Sequence, residues 1–203
     1  MVEIPVETDV QTDAVQNGIN GNGSSQIAFL TTGGSIDKTY SPFTSSFEIE
    51  DPRPLIRGIL RDGLVRFKYF IKPILKKDSL EMTDVDRKAI RDEVEACTQK
   101  RIIITHGTDT IVETGQFLSG IPKKTIVLTG AFRPARSKGT DAILNLGMAI
   151  AAVQILPAGT YVAINGKISP VCAVRKDRER QVFRFSNGNG HAKAHAAVPS
   201  RHK

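Results

Sequence analysis

The chain alternates short apolar runs with longer stretches whose apolar positions recur every three or four residues. Gln26 to Thr31 is a continuous run that stops at Gly33-Gly34, the length and punctuation of a buried strand. Ile102 to Thr105, Thr125 to Thr129 and Thr160 to Ile164 are further runs of this kind. Val65 to Ile71 differs, because its first positions alternate apolar and charged as a half-exposed strand does. Between these runs, Leu55 to Arg61 predicts a short helix, and Asp109 to Ser119 and Asp141 to Ile155 predict longer ones. Thr83, with Asp86 three residues on, predicts a capping box and then a helix with Val85, Ala89, Ile90, Val94 and Cys97 on its apolar face. Strands that alternate with helices predict a mainly parallel sheet covered on both faces, so the expected fold is a three-layer, doubly wound α/β domain of flavodoxin-like plan.

The pattern fades at both ends. Residues 1–25 run into a Gly/Asn/Ser-rich stretch and residues 187–203 have a similar composition, too poor in apolar side chains to offset the entropy of ordering. The expected organisation is a disordered tail over 1–25, one α/β domain over 26–186 and a second disordered tail over 187–203. His191 and His195 lie in that last segment as an i, i+4 pair with no further ligands nearby, and Cys97 and Cys172 sit in no CxxC pattern. Neither a metal site, a disulfide framework nor a cofactor is expected. No run approaches the roughly 20 apolar residues of a membrane span, and the acidic opening has neither the basic start nor the apolar core of a secretory leader. A cytoplasmic protein is expected.

The formal charge of +7 is local rather than general. Between Arg53 and Lys77 eight basic side chains face one acid, Asp62. Such a stretch has the charge to attract nucleic acid, but its aromatics read as core positions rather than a stacking surface. It is read as a solvated basic face, without a nucleic-acid partner.

In open parallel sheets ligands collect at the carboxyl ends of the strands. Three of those ends carry glycine beside hydroxyl or charged residues: Thr31-Thr32-Gly33-Gly34-Ser35, His106-Gly107-Thr108-Asp109-Thr110, and Gly130-Ala131-Phe132-Arg133-Pro134. Glycine lets backbone N–H groups approach a ligand, and a hydroxyl beside such donors has the makings of a nucleophile next to an oxyanion hole. The first segment also reads as a tight turn, and the second as a helix cap through Thr108 or Asp109. His106 reads as structural. No Walker loop, GxGxxG or GxSxG occurs. Spacing alone leaves a small-molecule enzyme of undefined chemistry.

The segment Phe29 to Ile36 resembles the first signature of the bacterial-type L-asparaginases, and Ile104 to Thr110 with Glu113-Thr114 closely resembles the second. Asp78 to Thr83, Val127 to Pro134, Asp141 with Asn145-Leu146, and Val162 to Lys167 leading to Ala173-Val174-Arg175-Lys176-Asp177 are similar to the family too, in its order. The likeness covers about residues 26–186 and points to a short, single-domain branch. It implies the family's flavodoxin-like fold, an amino-acid amide as substrate and assembly into homo-oligomers. Carried over by position, it implies Ser35 and Thr108 as the two hydroxyls, Asp109 and Lys176 as support for Thr108, and Tyr40 as the residue assisting the first hydroxyl. Gly34, Ser79, Glu81 and Ala131 are implied in substrate binding. Two positions depart from the pattern: Ser35 stands where the family has threonine, and Leu80 where longer members have a polar side chain. The implied reaction is attack by Ser35 or Thr108 on the amide carbonyl of L-asparagine, with backbone N–H groups near Gly34, Thr108 and Ala131 on the oxyanion, loss of ammonia and hydrolysis of the acyl-enzyme. Lys176 becomes a base only if its surroundings bring it down from about 10.4. Two other readings stand beside this one: a catalytically weak or inactive regulatory homologue that binds amino acids, and a subunit whose basic stretch meets an RNA-linked partner.

Overall fold

The structure is a computed structural model and describes residues 26–186. Both segments read as tails, with His191 and His195, lie outside the described residues. The elements in order are β1 (Ile27–Gly33), a hairpin of β2 (Lys38–Ser41) and β3 (Ser46–Ile49), α1 (Pro52–Asp62), β4 (Tyr69–Lys77), α2 (Asp84–Ala96), β5 (Arg101–Thr105), α3 (Ile111–Phe117), β6 (Thr125–Thr129), α4 (Ala142–Ile155), β7 (Gly159–Ile164), β8 (Lys167–Pro170), and a second hairpin of β9 (Val174–Asp177) and β10 (Val182–Phe185). The main sheet has the order β4-β1-β5-β6-β7-β8. Its first five strands are parallel and β8 runs antiparallel to β7. The order in which strands are added therefore reverses beside β1, which has β4 on one side and β5 on the other; this is the flavodoxin-like switch point, and its crevice lies at the carboxyl ends of β1 and β5.

The period-2 geometry of the strands divides the core in two. Ile27 and Phe29 of β1, with Ile103, Val127 and Ala163, pack against Ile56 and Leu60 of α1 and Leu146, Ala149 and Val153 of α4. Ala28 and Leu30, with Ile102, Ile104, Leu128 and Val162, pack on the opposite face against Ile90 and Val94 of α2, Ile111 of α3 and Leu118 just after it. Every one of these side chains is at most 1% exposed. Each large one contributes about 1.5–3 kcal/mol by leaving water. The three layers are those expected.

Local departures have local causes. The strand expected at Val65 to Ile71 forms later, at Tyr69–Lys77, and runs through Pro73. A missing N–H is tolerated there because β4 is the edge of the sheet, and the β1 ladder is irregular just beyond it, Thr31 facing Pro73 and Gly33 facing Lys77. The capping box forms as predicted, but Val85 is 79% exposed and Asp86 takes the buried place instead. The Asp86 carboxylate accepts from the Thr83 N–H and from Lys77 Nζ at 2.8 Å, and these donors hold its pKa down at about 2. In the basic stretch, Arg53, Arg61, Lys72 and Lys77 are ion-paired with Asp51, Asp62, Glu93 and Asp86. Phe67 and Tyr69 pack into the core, as read from the pattern.

Candidate active site

Three strand ends converge through contacts that leave no room for a Cβ, and a hydrogen bond joins a fourth. Gly34 has φ +91°, and a Cβ placed on it would lie 2.4 Å from the Gly107 nitrogen; one placed on Gly107 would lie 2.5 Å from Ser79 Oγ. The turns after β1, β4 and β5 thus touch directly, and only glycine at those two positions permits it. Polar cross-links fix the arrangement. The Thr32 hydroxyl donates to the Thr105 carbonyl at 2.9 Å, the Thr110 hydroxyl to the Ser79 carbonyl at 2.7 Å, and the His106 N–H to the Thr129 carbonyl at 2.9 Å.

Ser35 and Thr108 each follow one of the touching glycines. Ser35 is half-buried at the head of a short 3-10 turn, Ser35–Asp37, while Thr108 is buried beside Gly130. Neither Thr108 nor Asp109 caps α3. That helix starts at Ile111, and its N-cap Thr110 makes no side-chain cap bond. The simple capping reading of this segment is therefore set aside. The N–H of Gly34 itself donates to the Lys77 carbonyl at 3.1 Å.

Lys176 comes to this site on β9. Its ammonium sits 4.1 Å from the Phe132 ring centroid and 4.7 Å from that of Phe183, buried and with no hydrogen-bond partner. Burial pushes its pKa below the ordinary lysine value; the Asp109 carboxylate opposes this and Arg178 adds to it. Lys176, Asp109 and the loop after β6 are thereby one cluster. Asp109 is held in turn by Arg178, whose Nε donates to its carbonyl at 3.0 Å and whose other arm reaches Glu113 at 2.5 Å, and by Gln181, which donates to its carboxylate at 3.4 Å.

The loop after β6 is pinned from α4. The Asp141 carboxylate accepts from the N–H groups of Phe132 and Arg133 at 3.0–3.1 Å, and Asn145 donates to that carboxylate and to the Gly130 carbonyl, both at 2.9 Å. Ala131 is buried at the centre of this loop. Ser79 is buried and Glu81 exposed on the turn after β4. Tyr40 is 53% exposed on β2, edge-on to Phe47. His106 is fully buried, donates from Nδ1 to the Gly107 carbonyl at 2.8 Å, and is driven by that burial to a pKa of about 4. It stays neutral and structural.

Comparison with known proteins identifies the fold and the family. The family model for the asparaginase N-terminal domain matches residues 26–199. The chain belongs to the asparaginase family. An L-asparaginase of Bacillus licheniformis is 28% identical over 162 residues, which are 74% of this chain and 49% of that protein. A glutamyl-tRNA(Gln) amidotransferase subunit from Methanococcus vannielii is 37% identical over 148 residues, 70% of this chain and 34% of that relative. A solved structure described as a probable cytoplasmic L-asparaginase of Campylobacter jejuni matches with a TM-score of 0.61 and 32% identity, over 75% of this chain and 48% of the other. The chain thus spans half or less of the length of each of these asparaginase-like relatives. Arg178 and Gln181 escaped the sequence reading because their roles arise from contacts 65 to 72 residues away. Asn145 carried a signal that was readable, being a polar side chain buried inside an almost wholly apolar helix.

Proposed function

We propose that this asparaginase-family chain is an amidohydrolase that cleaves the side-chain amide of L-asparagine to L-aspartate and ammonia. The reading rests on one observation above all: Lys176, with no hydrogen-bond partner and a lowered pKa, lies within electrostatic reach of Asp109, the residue that follows Thr108, although 67 positions separate Lys176 from Asp109. Burial makes such an amine easier to deprotonate, and in its neutral form it takes the proton of a neighbouring hydroxyl. Thr108 or Ser35 then attacks the amide carbonyl, the developing oxyanion is met by backbone N–H groups of the Thr108 and Ala131 segments, and the nitrogen leaves as ammonia with the proton returned to it. Water attacks the resulting ester and frees aspartate and the hydroxyl. Tyr40 assists Ser35 from the β2–β3 hairpin, while Ser79 and Glu81 meet the amino-acid end of the substrate.

Residues 26–186 are taken as the unit that carries this activity, so removal of residues 1–25 leaves turnover unchanged. The cytoplasmic location is proposed on the likeness to the Campylobacter protein. Homo-oligomeric assembly is proposed on α4, where Ile143, Leu144 and Ile155 are 59%, 60% and 78% exposed. Ammonia release from L-asparagine, with L-glutamine in parallel, tests the main reading. Turnover in the parent that collapses in folded Ser35→Ala, Thr108→Ala and Lys176→Met variants is the expected result. A folded parent that binds the amino acids without turnover would instead favour a regulatory homologue.

A further inference from the structure

The turn Ser35–Asp37 is tied through its backbone to its surroundings. The Asp37 N–H donates to the Gly34 carbonyl at 3.1 Å and the Lys38 N–H to the Ser35 carbonyl, which closes the turn on itself. The Ile36 carbonyl accepts from the Ala135 N–H in the loop after β6 at 3.1 Å, and the Asp37 carbonyl from the Glu50 N–H just past β3 at 3.0 Å. Ile36 is 1% exposed and packs with Ala131 and Ala142. The bond between Asp37 and Glu50 therefore joins the turn that presents Ser35 to the base of the hairpin that carries Tyr40.

At this joint the Asp37 side chain has no partner. The residue is 3% exposed, and both carboxylate oxygens are buried without a hydrogen bond. The charged groups on the surrounding elements do not relieve it. Lys38, next in the chain, donates to Asp78 at 2.8 Å, and Glu50 faces Arg136 of the β6–α4 loop at 3.6 Å. Asp51, before α1, holds the Arg53 guanidinium through both of its oxygens at 2.8–3.0 Å, with Arg57 in electrostatic reach. On β4, Lys77 is bonded to Asp86, and Lys76 is exposed and makes no bond to Asp37. Burial first and the Asp51 charge second push the Asp37 pKa up to about 7. A buried carboxylate with no donor is heavily penalised, whereas the neutral acid is not. The local remedy on losing the proton to water is to carry the side chain into solvent, and that shift strains the bond between the Asp37 carbonyl and Glu50.

We propose that Asp37 is a positioning residue for Ser35: as the neutral acid it stays buried and keeps the turn and the hairpin base joined, and as the carboxylate it moves outward, parting the bond to Glu50 and loosening both. Its catalytic sense rests on the amidohydrolase reading, but the motion itself does not.

The test is amide hydrogen exchange on the full chain at pH 5 and pH 8.5, read as protection factors so that the pH dependence of exchange chemistry is divided out. An opened Asp37 ionises near 3.8 and a buried one near 7, so opening is favoured about tenfold per pH unit between those values and levels off above them. Protection of the Glu50 N–H should fall more than about tenfold from pH 5 to pH 8.5. The Ser186 N–H, which donates to the Ala173 carbonyl at 2.9 Å beside the β9–β10 hairpin, should keep its protection. Asp37→Asn, neutral at both pH values, should hold Glu50 protection level. Asp51→Asn leaves Asp37 in place and removes the repulsion, so it should shrink the loss and serves if the first variant misfolds. With turnover present, the ratio of kcat in the parent to that in Asp37→Asn should fall as pH passes 7. Equal Glu50 protection at the two pH values, the same loss in Asp37→Asn, or an equal loss at Ser186 would each overturn the proposal. A parent without turnover that still shows the loss at Glu50 supports the motion and tells against the amidohydrolase reading alone.

Discussion

Two hairpins overhang the strand ends, and they are anchored by different means. The β9–β10 hairpin is docked: Phe183 is buried, stands edge-on to Phe132 with centroids 6.0 Å apart, and Arg178 reaches back to Asp109 and Glu113. The β2–β3 hairpin is held mainly at its base, by the Glu50 N–H donating to the Asp37 carbonyl and by the Lys38–Asp78 ion pair at 2.8 Å. Its aromatics face outward, Tyr40 at 53%, Phe47 at 56% and Phe43 at 97% exposure. The docked hairpin carries the lysine, whose depressed pKa depends on staying buried. The outward one carries Tyr40, which the proposed mechanism requires at the site only once substrate is present, and it rises from a base containing an uncompensated acid. Rigid placement is thus invested where electrostatics depend on it.

The contrast is most severely tested by removing the docked hairpin's anchor. Phe183→Ala should cost about 3 kcal/mol in chemical denaturation, the order expected for a buried ring. The opposite change sharpens the picture of the other hairpin. Folded Asp37 keeps its proton to about pH 7, while the unfolded chain releases it near 3.8. Between those values the folded state holds the extra proton, so stability falls as pH rises, by about 1.4 kcal/mol per pH unit. His106 works the other way: folded it stays neutral down to about 4, unfolded it protonates near 6.5, so its contribution is lost as pH falls through that window. Denaturation midpoints of Asp37→Asn should therefore rise with pH between about 4 and 6.5, while those of the parent stay flatter. A smaller effect is expected for Arg178→Ala, a partly exposed pair worth about 0.5–1 kcal/mol in stability. Ammonia release should fall about fivefold as Asp109 loses its orientation, a loss of about 1 kcal/mol. The smallest is expected at the tip of the outward hairpin, where Phe43→Ser should change stability by less than about 0.5 kcal/mol.

The legibility of the chain follows the same division. Thr125–Thr129 and the Thr83–Asp86 capping box were readable because continuous apolar runs and local caps are decided by neighbours in sequence. β4 was misplaced because Pro73 signals a break, and only the sheet order makes it an edge position where the break is harmless. Both hairpins were missed: four-residue strands such as Lys38–Ser41 and Val174–Asp177 are too short to show a period, and the docked one is set by Phe183 meeting Phe132 51 residues away. In the site, the glycine turns announced themselves, whereas Thr108, Asp109 and Lys176 were singled out through family resemblance. Arg178, Gln181 and Asp37 are known only from the fold.

The central claim is that the docked hairpin holds the Lys176 ammonium buried, without a hydrogen-bond partner and easier to deprotonate than that of an ordinary lysine. Its most direct test is an NMR titration of the Lys176 side chain, assigned by the loss of its signal in Lys176→Met, in the parent and in Phe132→Ala. The account predicts a midpoint below the ordinary 10.5 in the parent and a return toward that value in the variant. A Lys176 that titrates together with the surface lysines in the parent would contradict it.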